Sequence, residues 1–436
     1  MATGIGSGLS TQFGIETEST IGTPVAVTRF VEIDSDSLMA DHTIAQGQGL
    51  RGNLYRRDAR RVLVGRHAKG DVPFDLPTNG MGKILQHCLG SFSTTATVLS
   101  GTAYQQIHNT GSLQGKTFTA QKGIADTTGY IHPYTYPGAK VTSWEISAQP
   151  GGLVKFKLSI DAVDEVTESQ LVAPTTLAAS ASAAATSIST TASIPAGTYI
   201  SIGTDALTEY VTTGTPTGSG PYTIPITGTG TGNGLKYAHA SGAPVGSSPN
   251  VYNSLTKLQT ASYTATTGLF SFKDAHFVVG GTTSQVSGVW TNTGGIACTP
   301  ANGIVIKNID LKGSNALKVD RYGAGSQTVA EQLENGFRDI TGSLDIEYNN
   351  RWFYDAYQVD QALALVMTFQ NLDAQIGSTG KYPTVQFYLP AITFEDGASL
   401  QAPGPDVITQ KLAFTALDDG TNGTLQAYVI STDTSV

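Results

Sequence analysis

The chain has 436 residues, 50 of them Gly, with only 14% charged residues and a formal net charge of -9. That length allows two or three domains with cores of their own, and the Gly-, Ser- and Thr-rich, charge-poor composition points to an all-β protein with minor helices and many turns. The acidic balance argues against a non-specific grip on nucleic acid, and two distant cysteines, Cys88 and Cys298, make neither a disulfide framework nor a thiolate metal site.

Residues 1–29 carry Gly4, Gly6, Gly8, Gly14 and Gly22 among Ser and Thr without periodicity, and read as an N-terminal arm. The opening MATGIGSGLS lacks a basic and apolar leader, and no apolar run approaches the roughly 20 residues of a membrane span, so no membrane association is expected. A short strand starts at Phe30. Residues 41–66 show no apolar alternation before Val62 but hold Arg51, Arg56, Arg57, Arg60, Arg61 and Arg66, which reads as a long basic loop. Val72, Phe74 and Leu76 then alternate with Asp71 and Asp75, and a helix is predicted from Met81 to Leu89, capped by Asn79 and closed by Gly90. Residues 104–122 read as a hairpin turning at 111–115.

The clearest pattern lies in residues 133–166. Trp144, Ile146 and Ala148 alternate with Ser143, Glu145 and Ser147; PGG at 150–152 breaks the run; then Val154, Phe156, Leu158 and Ile160 alternate with Lys155, Lys157, Ser159 and Asp161. A period of two on both sides of a turn is an antiparallel hairpin with one face in a core and the other wet. From 171 the composition shifts to Ala, Ser and Thr, Lys236 is the only Lys or Arg before 248, and short Ile-marked strands alternate with Gly and Pro. Residues 171–250 therefore read as a separate small β module.

After residue 251 the pattern of the first half returns. GSLDIEY (342–348) matches GDVPFDL (70–76), with Arg338 and Arg66 each four residues before the glycine. A helical stretch follows, here 352–365; FYLPAITF (387–394) echoes YTYPGAKV (134–141); and a final hairpin of 407–417 with 424–431 takes the place of the earlier one. Four matched elements in one order imply an internal duplication, with copies at 30–170 and 251–436.

Signatures of catalysis are missing from this pattern. GSLQGKT (111–117) is one residue short of a phosphate loop, the seven histidines are scattered without metal-ligand spacing, and no Gly-x-Ser-x-Gly elbow occurs. No cofactor, metal or catalytic residue is expected. The carboxylates Asp71, Asp75, Asp345 and Glu347 read as solvated positions on strand faces.

ESTIGTP (18–24) with TRF (28–30), YPGAKVTSWEIS (136–147), and LPAITFEDG (389–397) with VITQKLAFTAL (407–417) together resemble tail tube proteins of long, flexible-tailed bacteriophages. The resemblance implies two tail-tube-type β-sandwich domains, each with a flanking helix, plus the inserted small β domain. It implies a structural virion protein, not an enzyme, that is assembled in the host cytoplasm. Rings of it would stack into a tube whose joined inner sheets line a channel for double-stranded DNA, which passes without specific binding. Six tube domains per ring and two per chain imply a trimer with pseudo-six-fold symmetry, with a hexamer as the alternative; the tape measure, tail terminator and distal tail proteins are the implied partners. On that reading Ser143, Glu145, Ser147, Asp161, Asp345, Glu347, Asp71 and Asp75 are lumen candidates, and Arg51, Arg56, Arg57, Arg60 and Arg61 contact the next ring. Lys155, Lys157 and Lys411 interrupt an otherwise acidic wall and are expected to pair with Glu145 or Asp161. Alternation alone does not say whether that face looks into a channel or outward, and an all-β adhesin or carbohydrate-binding protein is the alternative function.

Overall fold

The computed structural model describes residues 8–49, 54–91, 96–125, 131–167, 175–203, 207–228, 230–247, 258–263, 268–286, 288–395 and 404–435. The first half supplies β1 (Gln12–Thr17), β2 (Met39–Gln46), β3 (Arg61–Asp75), helix α1 (Met81–Leu89), β4 (Ala103–Asn109), β5 (Phe118–Ala125), β6 (Ile131–Ala148), β7 (Lys155–Ala162) and β8 (Val166–Thr167). Next come β9 (Thr175–Thr176), β10 (Ser187–Thr190), β11 (Tyr199–Ile202), β12 (Glu209–Thr213), β13 (Tyr222–Thr227) and β14 (Pro244–Ser247). The second half supplies β15 (Ala275–Val279), β16 (Ile306–Ser314), β17 (Asp339–Glu347), helix α2 (Trp352–Gln358), β18 (Leu363–Gln370), β19 (Thr384–Phe394), β20 (Thr409–Leu417) and β21 (Gln426–Ser431).

One antiparallel inner sheet crosses both halves in the order β2-β3-β7-β6-β16-β17-β20-β19, four strands from each. Each half packs an outer sheet against it, β1-β5-β6-β8 in the first and β15-β18-β19-β21 in the second. The two halves share one strand order, and β6 and β19 each belong to both layers. They change layer at the same place: Phe118 opposes Ala139 and Ala120 opposes Tyr136, while Leu363 opposes Ile392 and Leu365 opposes Leu389, so each ladder carries the same bulge. Pro137 and Pro390 sit inside those bulges, where a residue without an N–H leaves no ladder bond unmade.

The layers bury a single core that runs across the junction of the halves. Trp144 on β6 stacks on Phe156 (centroids 6.4 Å apart) and on Phe387 of the second half (6.3 Å). Gly313 lies opposite Trp144 in the β6–β16 ladder, and a Cβ there would stand 2.3 Å from the indole. The strands from 175 to 247 form a separate six-stranded sheet, β9-β14-β11-β12-β13-β10, around Ile188, Ile200, Ile202, Val211, Ile224 and Val245. There the buried Glu209 carboxylate accepts the amides of Lys236 (2.7 Å) and Tyr237 (3.1 Å) and binds His239 Nε2 (2.7 Å), pinning the closing turn.

Several expectations need correction. Residues 12–17 are not a free arm: Phe13 and Ile15 are buried in β1, a strand whose short period-two run the glycines obscured; residues 1–7 lie outside the described residues. The long basic loop is shorter than read, because Met39–Gln46 pairs with β3 as an exposed strand that lacks the usual apolar alternation. Residues 104–122 are no hairpin, since β4 pairs with β21 and β5 with β1 and β6. Helix α1 has the expected bounds, but Gly80, not Asn79, precedes its first turn. Helix α2 stops at Gln358 because residues 363–370 are claimed on both sides by β15 and β19. The closing pair is not a hairpin either: β20 and β21 both bond to β19, one in each layer.

Replacing Gly313 with Val overpacks the junction, and we expect a loss of about 1–3 kcal/mol in unfolding free energy, read as a lowered urea midpoint at unchanged slope.

Candidate functional site

The inner sheet turns one face to the core and the other to solvent, and the solvent face is a lattice of paired charges. On β3 and β7, Lys157 pairs with Asp71 (2.8 Å), while Lys155 pairs with Asp75 (2.5 Å) and with Asp34 (2.8 Å). Across the junction Lys312 reaches Glu145 (3.3 Å) and Asp310 (2.8 Å), and Lys307 pairs with Glu347 (2.6 Å). Asp345 lies directly opposite Lys411, and Ser143 and Ser147 stand between the charged rows, opposite Ser159 and Lys155. Burial pushes the Asp71 carboxyl up, but the hydrogen bonds from Lys157 and Ser159 outweigh it and hold the group below the usual carboxylate range. The hydrogen bonds that Lys155 donates to Asp34 and Asp75 raise its ammonium in turn.

The structure brings Asp71, Asp75, Ser143, Glu145, Ser147, Asp345 and Glu347 onto this one face. It removes Asp161 from it. Asp161 shares the strand side of Lys155 and Lys157 but is 3% exposed, because the β16–β17 connection folds over it and Gln332 donates to its Oδ1 at 2.9 Å. The lysine pairing also differs from expectation: Lys155 and Lys157 choose the carboxylates of β3 and of the segment before β2 rather than Glu145 or Asp161. Asp310, Lys307 and Lys312 belong to the face and were missed, although Asp310 and Lys312 alternating with Ile309 and Leu311 carried the signal.

The β16–β17 connection, residues 315–338, lies across the first half. Gln327 accepts the Arg66 amide (2.7 Å), Tyr322 bonds His67 (2.9 Å), Glu331 pairs with the buried Lys140 (2.7 Å), and Glu334 accepts the Leu113 amide (2.6 Å). The topologically equivalent β2–β3 connection carries the arginines. Arg56, Arg57, Arg60 and Arg61 are exposed beside Leu54 (94%) and Tyr55 (84%), and among the described residues no carboxylate lies within ion-pair distance of them; Arg51 lies outside the described residues. Residues 61–67 of β3 extend past the end of β7, so the β2–β3 hairpin overhangs the sheet by about 20 Å.

A family model described as phage tail tube protein matches residues 8–211 and 299–416. The chain belongs to that family. None of the curated proteins compared with it matches. As a tail tube protein it is a structural component of the phage virion tail. Among the described residues no helix is long and apolar enough to cross a membrane, and no cluster of three or more His, Cys, Asp or Glu is arranged to hold a metal.

Burial raises the Asp161 carboxyl to about 6, with His67 and Lys69 opposing the shift. Between about pH 4 and 6 the folded protein keeps a proton that the unfolded chain releases, so this group makes stability fall as pH rises through that window. In Asp161→Asn that fall should shrink by roughly 2 kcal/mol, measured by urea unfolding at the two ends of the window.

Proposed function

We propose that three copies close into a ring whose inner sheets form one continuous barrel, and that such rings stack into the tube through which double-stranded DNA leaves the virion. The observation that carries this reading is the inner sheet itself: eight strands, four from each of two like-ordered halves, with one face in the core and the other wet. Three such sheets give about 24 strands, and at about 4.8 Å spacing and 45° tilt the backbone diameter is roughly 50 Å, leaving roughly 40 Å of bore once side chains are counted. Six chains would double that width, which favours the trimer.

The division into two tube units, at 30–170 and 251–436, and a small module at 171–250 fits this arrangement, with β1 added to the first unit. The lumen wall is then the face bearing Asp71, Asp75, Ser143, Glu145, Ser147, Asp345 and Glu347, without Asp161. Lys155, Lys157, Lys307 and Lys312 are tied to carboxylates, so the wall offers passing phosphates few free cations; six to ten free contacts would make binding strong and salt-dependent. The overhanging β2–β3 hairpin reaches along the strand direction, towards the neighbouring ring, where Arg56, Arg57, Arg60 and Arg61 can fork onto carboxylates. Assembly in the host cytoplasm, and end contacts with the tape measure, terminator and distal tail proteins, follow from membership of a tube.

Negative-stain microscopy of the purified protein should show rings or tubes, and an averaged cross-section with three chains; monodisperse monomers that bind glycans would instead support an adhesin. Arg56→Glu with Arg57→Glu should leave rings intact and abolish tubes, and normal tubes would defeat that assignment. Asp345→Lys with Glu145→Lys frees cations on the wall; tubes should still form, but DNA release in vitro should slow and become dependent on salt.

A further inference from the structure

The β2 strand sits at the first edge of the inner sheet, and its outward backbone groups are not bare. Ser37 donates its amide to Asp71 on β3, so Leu38 and Ala40 point their C=O and N–H away from the sheet. The Leu38 carbonyl accepts the Tyr136 hydroxyl (3.1 Å) and the Lys122 ammonium, and the Ala40 amide donates to Glu165 (3.1 Å). All three side chains come from the outer layer of the same half, from β6, β5 and the approach to β8.

The second half shows the same edge with a strand on it. Ala40 opposes Ala68 and Gly313 opposes Ile340, each two residues before the matched glycines Gly70 and Gly342, so Leu38 and Ala40 correspond to Leu311 and Gly313. Those residues bond to β6, opposite Ile146 and Trp144. The capping side chains have counterparts too. Lys122 opposes Tyr134 as Met367 opposes Phe387; Tyr136 precedes Pro137 as Leu389 precedes Pro390; Glu165 precedes the residue opposite Thr135 as Leu425 precedes the residue opposite Tyr388. Met367, Leu389 and Leu425 are all fully buried and apolar. Polar side chains thus stand where the edge lacks a partner strand, and apolar ones where it has one.

We propose that Lys122, Tyr136 and Glu165 form a removable cap on the β2 edge, and that ring closure replaces it with the opposite edge of a second copy's inner sheet. This rests on the ring reading above. An open strand edge templates indiscriminate pairing, and a side-chain cap blocks it until a strand of matching register competes. On release Lys122 keeps its ion pair with Asp36 (2.5 Å).

The test compares the wild-type chain with Tyr136→Phe plus Glu165→Ala, both purified as monomers. Amide hydrogen exchange at Ala40 should rise about 10-fold in the variant, and rings or tubes, followed by light scattering and negative stain, should appear about 10-fold faster, the equivalent of one net hydrogen bond. Unchanged exchange, or raised exchange with assembly at the wild-type rate or slower, overturns the cap. If neither protein forms rings while Ala40 exchange rises in the variant, the ring reading is what fails, and the gate falls with it. Should the double variant lose its circular dichroism, Glu165→Ala alone, which leaves the buried Tyr136 in place, gives both readouts with the same sense.

Discussion

The hydrogen bonds between β6 and β16 are the constraint on which this molecule depends. Each half on its own would end in a strand whose outward amides and carbonyls have no partner, and a buried backbone group without a partner costs more than most side-chain contacts return. Joining Ser143–Ser314 through Ala148–Ile309 turns two sandwiches into one eight-stranded sheet and one core. The residues at that junction are shaped for it: Trp144 spans from Phe156 to Phe387, and glycine at 313 leaves room for the indole.

The same sheet explains the charge pattern. Charged side chains on alternate positions of neighbouring strands stand close enough to pair, so Lys155, Lys157 and Lys307 each meet a carboxylate across a strand, while Lys312 meets one across the ladder and one on its own strand. The pairs are largely solvent-exposed and contribute little to stability. Their effect is on the surface presented: carboxylates and lysines cancel locally, and hydroxyls of Ser143 and Ser147 fill between them. Such a surface neither attracts nor strongly repels a polyanion, which suits the channel proposed above better than a uniformly acidic or basic lining would.

Duplicated halves need not stay alike, and the differences fall where their neighbours differ. The connection after β16 folds over the first half, burying Asp161 under Gln332 and pairing Glu331 with Lys140. Its counterpart after β2 holds arginines with exposed Leu54 and Tyr55, and among the described residues no carboxylate pairs with them. The outer layers diverge in the same sense, polar at Lys122, Tyr136 and Glu165 and apolar at Met367, Leu389 and Leu425.

Much of this was legible in the residues themselves. Alternation of Trp144, Ile146, Phe156 and Leu158 with Ser, Glu and Lys set the face that is buried and the face that is wet, because side chains on a strand leave it on opposite sides whatever the fold. The match of residues 70–76 with 342–348, and of 134–141 with 387–394, likewise established the repeat, since like patterns need like surroundings. Pairing partners were not legible: β20 and β21 look like a hairpin and are not, β2 has too little apolar alternation to announce itself, and Asp161 carries the same signal as Lys157 yet lies under a distant segment. Those outcomes depend on which strands lie beside one another and on what a connection covers, contacts between residues far apart in the chain, and only the tertiary structure decides them.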